Sequence, residues 1–200
     1  LTDWLQTHYI ELLGAITGLI YLYLEIRQKI WLWPFGIVTS ALYIYIFFVS
    51  KFYADMGLQV YYLAISIYGW WYWLHGGSSG KIDGLPVTRI DLKTTLLLVP
   101  VTCAIFALIA FVLVRFTDSP VPYGDAFTTA ISITATWMLA RKILEMWWLW
   151  MIVNFVSLGL YIYKDLYPTS VLFFFYFSMS IVGYLQWKRS FGEVINSSDQ

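Results

Sequence analysis

Trp147-x-x-Trp150-x-x-x-Asn154 sets two indoles and a carboxamide at i, i+3 and i+7, on one face of a helix. Such a face recognises rather than reacts. Indole rings stack on flat or cationic rings, and an amide offers a donor and acceptors to fix a ring's edge. A second face recurs in Gln59, Tyr62, Ser66, Trp70 and Trp73, and a third in Phe173, Tyr176, Ser180, Tyr184 and Trp187. A further apolar run offers Trp33, Thr39, Ser40 and Tyr43. The binding candidates are therefore Trp147, Trp150, Asn154, Gln59, Tyr62, Ser66, Trp33, Thr39, Tyr43 and Tyr176. Asn154 and Gln59 are the side-chain amides set well inside such runs, where a polar group points to function by default. Ser66, Ser157 and Ser180 read better as polar glue between helices, at about 1 kcal/mol each. Trp31, Trp70, Trp71, Trp148 and Tyr53 fit interfacial anchors equally well.

The elements that carry these faces follow from composition. Of the 200 residues, 60% are hydrophobic and 12% charged, against roughly 25% charged in a soluble domain. A soluble chain of this size needs more wettable surface. Uncharged runs cover 30–50, 56–80, 94–114, 146–163 and 166–187, with shorter ones at 12–24 and 126–140. About 20 apolar residues cross a bilayer as a helix. The short runs reach that length if Glu11, Glu25, Asp125 and Arg141 sit at the interface. Seven spans are expected, at about 10–27, 30–50, 56–74, 94–115, 125–141, 146–163 and 169–187. The apolar stretch begins after Glu11 without a basic leader, so no cleavable signal peptide is expected.

Alternate connections carry Arg27 and Lys29; Lys81, Arg89 and Lys93; Arg141 and Lys142; Lys188 and Arg189. Opposite them lie only Lys51, Arg115 and Lys164. The positive-inside rule then sets the N-terminus outside and the C-terminus in the cytoplasm. The net charge of zero conceals this asymmetry. Cys103, inside the fourth span, reads as a small apolar filler.

The chain also repeats itself. Trp31-Leu32-Trp33 returns as Trp148-Leu149-Trp150, Leu42-Tyr43-Ile44-Tyr45 as Leu160-Tyr161-Ile162-Tyr163, and Ser66-Ile67-x-Gly69-x-x-x-Trp73 as Ser180-Ile181-x-Gly183-x-x-x-Trp187. The offset drifts from 117 to 118 to 114, so this matching needs short gaps. Expected boundaries are 10–76 for a first three-helix repeat, 77–118 for a cytoplasmic linker and connecting fourth helix, 119–189 for a second repeat, and 190–200 for a frayed cytoplasmic tail. The fold class is an all-α integral membrane protein with 3+1+3 parallel repeats. An odd number of spans per repeat requires one extra crossing, and the fourth span supplies it. Gly76-Gly77-Ser78-Ser79-Gly80 reads as a flexible linker before it.

No span carries a mid-membrane carboxylate in this reading, and His8 and His75 lie outside the spans. Ion-coupled pumps need an ionisable relay, so uncoupled movement is expected. No phosphate loop, metal-ligand set or nucleophile–base pair is present. Neither an enzyme, a metal site, a cofactor nor a nucleic-acid partner is therefore expected.

Trp147-x-x-Trp150-x-x-x-Asn154 after Arg141-Lys142-x-x-Glu145 resembles the sixth-helix motif of the Pnu vitamin transporters. Leu58-Gln59 followed by Ser66-Ile67-Tyr68-Gly69-Trp70-x-x-Trp73 resembles their third-helix motif. The likeness runs from about 12 to 188. It implies a fold like the full-length SWEET sugar transporters, a homotrimer in the bacterial inner membrane, facilitated diffusion of a B vitamin, and trapping by a cytoplasmic kinase. Nicotinamide riboside carriers of that family place further asparagines where this chain has Thr39, Ser66 and Val182. Together with Trp31-Leu32-Trp33-Pro34-Phe35-Gly36 and Lys51-Phe52-Tyr53-Ala54-Asp55, that difference resembles the thiamine branch. Thiamine is the expected substrate, nicotinamide riboside the alternative, and a sugar, by analogy with SWEET carriers, a more distant one.

Overall fold

The computed structural model describes residues 17–49, 53–76 and 85–198. Glu11, Lys51, Lys81, residues 77–80 of the linker and the expected start of the first span lie outside the described residues. The described chain forms seven helices: α1 (Thr17–Ile26), α2 (Leu32–Val49), α3 (Tyr53–His75), α4 (Leu92–Phe116), α5 (Pro122–Ala140), α6 (Met146–Tyr163) and α7 (Tyr167–Ser198). By length and composition alone, α4, α6 and α7 suffice to cross a membrane, whereas Thr17–Ile26 and Leu32–Ile46 are shorter apolar stretches.

Local chemistry accounts for the helix ends. Pro122 opens α5, where its missing N–H costs nothing. Asp91 caps α4 by accepting from the Thr94 N–H at 3.3 Å. Hydrogen bonds from Thr94 hold the Asp91 carboxyl below its ordinary range. Gln28, Lys142 and Asp165 take positive φ angles of 54°, 51° and 57° and turn the chain after α1, α5 and α6.

α2 packs on α3, α6 on α7, and α5 on both α4 and α6. A bond from the Tyr61 hydroxyl to the Ile133 carbonyl, 2.7 Å, ties α3 to α5. α4 leans on α5 through the Thr102–Thr134 hydroxyl pair at 2.6 Å. Most of its other side chains are exposed. Cys103 is on that exposed side and fills no interior gap.

The apolar core lies at the end of the bundle that holds the α1–α2 and α5–α6 turns. Trp33 meets Trp73 edge-on at 5.4 Å, and Trp147 meets Trp187 edge-on at 5.8 Å. Each first indole lies over a glycine. A Cβ at Gly69 would stand 2.5 Å from Trp33, and one at Gly183 would collide with Trp147. Aromatic pairs of this kind add about 0.5–1.5 kcal/mol beyond burial. The turns match too. Lys29 N–H donates to Leu24 and Trp33 N–H to Ile30, just as Ile143 N–H donates to Met138 and Trp147 N–H to Leu144. All these pairs share one spacing, 114 residues, so the correspondence needs no gaps. Trp33 therefore matches Trp147, not Trp150 as the tripeptides suggested.

Two connecting segments differ from expectation. Residues 85–91 do not continue as a loose linker: Thr88 exchanges backbone bonds with Lys142 and Leu144 at 2.9 Å. Leu85 and Val87 are buried there. Lys142, itself buried, donates to the Leu85 carbonyl at 3.0 Å and sits 4.3 Å over the Trp73 ring. The polar tail is not frayed either, since α7 runs on to Ser198. Ser190 accepts from the Gln28 amide at 3.2 Å, and Phe191 packs on the core beneath Arg89.

Candidate functional site

One cavity of about 410 Å³ opens among α1, α2, α3, α5, α6 and α7. That volume lies in the range of about 300–1,000 Å³ that small ligands occupy. α6 gives it Trp147, Trp150 and Asn154; α3 gives Gln59, Tyr62 and Ser66; α2 gives Thr39 and Tyr43; and α7 gives Tyr176. Nine of the ten candidates thus line one cavity. Helical spacing brings each set together, because residues three and four apart lie on one face.

Trp33 is the exception. It is fully buried under α3 against Gly69 and Trp73, outside the cavity lining. Its neighbour Gly36 lines the cavity instead, where the absent side chain makes room for Ser66. Trp70 turns outward and is exposed, so the third-helix face reaches the cavity only through its first half. Val182, matched above with an asparagine of the family, is 46% exposed and outside the lining. The cavity-facing polar residues of α7 are Tyr176 and Ser180.

Asn154 lines the cavity and also ties two helices together. Its Nδ2 donates to Ser180 Oγ at 3.0 Å, bridging α6 and α7, and Ser180 in turn donates to the Tyr176 carbonyl at 2.8 Å. The bridge uses one amide proton and leaves the carbamoyl oxygen available as an acceptor. Ser66 and Ser180 are therefore cavity residues, not interhelical glue alone.

α1 was read from the sequence only as a span, yet Thr17, Gly18, Tyr21, Leu22 and Glu25 all line the cavity. Their spacing is that of one helical face, a signal present in the sequence but hidden in a short apolar run. Gly18 lets the Tyr176 hydroxyl approach α1 closely. Glu25 departs furthest from expectation. It is not solvated but is 4% exposed within the bundle. Its carbonyl accepts from Trp187 Nε1 at 3.1 Å. Its Oε1 has no hydrogen-bond partner among the described residues. The Trp150 indole N–H, also on the cavity lining, likewise has no hydrogen-bond partner among the described residues.

The arrangement offers stacking faces, amide and hydroxyl edges and one carboxylate, which suits reversible capture of a small flat molecule. Comparison with known proteins agrees. A family profile described as "Nicotinamide mononucleotide transporter" matches residues 8–189. The chain is similar to "Nicotinamide riboside transporter PnuC" of Escherichia coli (strain K12), 28% identical over 205 residues that cover 91% of this chain and 86% of that one. It is also similar to "Riboflavin/roseoflavin transporter RibM" of Streptomyces davaonensis, 25% identical over 180 residues, covering 88% and 83%. The crystal structure of the vitamin B3 transporter PnuC superposes with a TM-score of 0.70 over 93% of this chain and 83% of that one, at 21% identity. That likeness establishes a shared fold. The chain belongs to the nicotinamide mononucleotide transporter family, the Pnu transporters of B vitamins, and is a membrane transporter rather than an enzyme.

Proposed function

We propose that the chain moves nicotinamide riboside across a bacterial inner membrane by facilitated diffusion, with a cytoplasmic kinase trapping the vitamin as its phosphate. The observation that carries this reading is a single cavity uniting Trp147, Trp150, Asn154 and Gln59 in a chain similar along nine-tenths of its length to a nicotinamide riboside transporter. Trp150 and Tyr62 supply faces for the pyridinium ring. Asn154 and Gln59 supply donors and acceptors for the carboxamide and ribose.

Thiamine was the sequence-based expectation because three amides of the riboside carriers are missing here. That argument has lost its force. Val182 does not face the cavity, while Ser40, Ser66, Ser180 and Glu25 make the wall more polar than a count of amides implied. The similarity to RibM supports riboflavin as a second reading. The uncoupled mechanism rests on the family resemblance, and Glu25 puts one carboxyl in the cavity lining.

In this reading all seven helices span the membrane as 3+1+3 parallel repeats like those of full-length SWEET transporters, with α4 as the connecting crossing and the protein a homotrimer. The constant spacing of the paired tryptophans supports the repeat. The excess of Lys and Arg on alternate connections supports an outside N-terminus. Proteoliposomes test the proposal: labelled nicotinamide riboside should equilibrate without an ion gradient, and exceed equilibrium only with kinase and ATP inside. Accumulation driven by a proton or sodium gradient would refute uncoupled movement. Equilibration of thiamine or riboflavin alone would reassign the substrate.

A further inference from the structure

Glu25 brings a carboxyl into a cavity whose described lining contains no lysine or arginine. Its main chain is fixed, because Trp187 Nε1 and the Gln28 N–H both donate to the Glu25 region's carbonyl at 3.1 Å. The side chain therefore sits at a set depth beside Tyr21 and Trp150. One carboxyl oxygen is buried without a hydrogen-bond partner among the described residues. A buried carboxyl without a partner is costly, and packing does not demand one here. The matching position, Leu139, is fully buried and apolar. A carboxylate at this place calls for a partner that arrives with the ligand.

We propose that Glu25 selects the charge of the substrate, pairing with a fixed-charge aromatic cation held between indole and phenol faces. The inference rests on the cavity being the vitamin site. A cationic ring gains twice, from the carboxylate and from the aromatic faces, whereas a neutral ring of the same shape leaves the carboxylate unpaired. Nicotinamide riboside and thiamine carry such a cation; riboflavin does not.

The test compares nicotinamide riboside with its uncharged dihydro form, by titration of the purified full-length protein followed through tryptophan fluorescence. The wild type should bind the cation about tenfold or more tighter than the dihydro form, the lower end of what loss of a buried charge partner produces. Glu25→Gln should bring that ratio close to one. Glu25→Leu, which copies position 139, provides the same measurement should the glutamine variant misfold. Equal binding of both forms by the wild type, or an unchanged ratio in the variants, would overturn the inference while leaving the vitamin site intact. If thiamine binds in place of nicotinamide riboside and loses about tenfold in Glu25→Gln, charge selection stands and the riboside assignment falls. Binding of riboflavin alone, or of no vitamin, would overturn charge selection together with the riboside assignment.

Discussion

The two tryptophan-on-glycine corners of this molecule are built alike and used differently. Trp33 on Gly69 and Trp147 on Gly183 have the same edge-on partner indole and the same turn before them. Yet Trp147 lines the cavity and Trp33 does not. The difference arises one and two helical turns further on. α6 continues with Trp150 and Asn154, where α2 has Gly36 and Ser40 at the matching places. The second half therefore supplies bulk and an amide edge, and the first half supplies room. α1 adds a carboxyl where α5 has Leu139. Corners built alike need to match only where helices touch; the walls facing the cavity are free to diverge.

The largest effect should come from breaking the framework on the side that carries the site. Gly183→Val forces Trp147 out of its seat, and overpacking of this kind costs about 1–3 kcal/mol or more. It should lower the melting temperature and abolish vitamin binding in a titration. Gly69→Val should cost similar stability, but the fraction that still folds should bind, since Trp33 is outside the cavity. Equal loss of binding in both would show that the corners are not used differently.

Next in size, Trp150→Ala removes a stacking face and should weaken vitamin binding by about 2–4 kcal/mol, the range of an aromatic hot spot. Gly36→Ala adds a Cβ 2.8 Å from Ser66 Oγ. It should shrink the room opposite and reduce affinity less, because the Ser66 hydroxyl can rotate away.

Asn154→Ala should cost about 1–3 kcal/mol in binding, as a polar partner is lost. Because it also removes the bridge to Ser180, the melting temperature should fall slightly. Asn154→Ser, which copies Ser40, should restore part of the stability without the affinity. The smallest effect belongs to Ser180→Ala: about 0.6 kcal/mol of stability, the mean for hydrogen bonds between membrane helices, with binding nearly intact. A loss of binding as large as that of Asn154→Ala would mean that Ser180 touches the ligand directly.

Much of this was legible in the residues. Apolar run lengths placed α2 to α6 to within a few residues at both ends. Periods of three and four gathered Trp147, Trp150 and Asn154 on one face, and Gln59, Tyr62 and Ser66 on another. Those patterns are local, so helix geometry alone enforces them. The sequence also determined that a Trp, Gly and Ser pattern recurs, although not its register. Trp31 is exposed and Trp33 buried, a distinction that tripeptide identity does not carry. Only the tertiary structure decided which way each face points. In a membrane protein the lipid side and the packed side are both apolar, so hydrophobicity does not separate them. Trp70, which shares a helical period with Gln59, Tyr62 and Ser66, and Val182, matched by resemblance with an asparagine of the family, both lie outward. Glu25 looks solvated by its place near a helix end, yet the Trp187 indole, 162 residues away, bonds its carbonyl inside the bundle. Contacts at that separation leave no periodic trace along the chain.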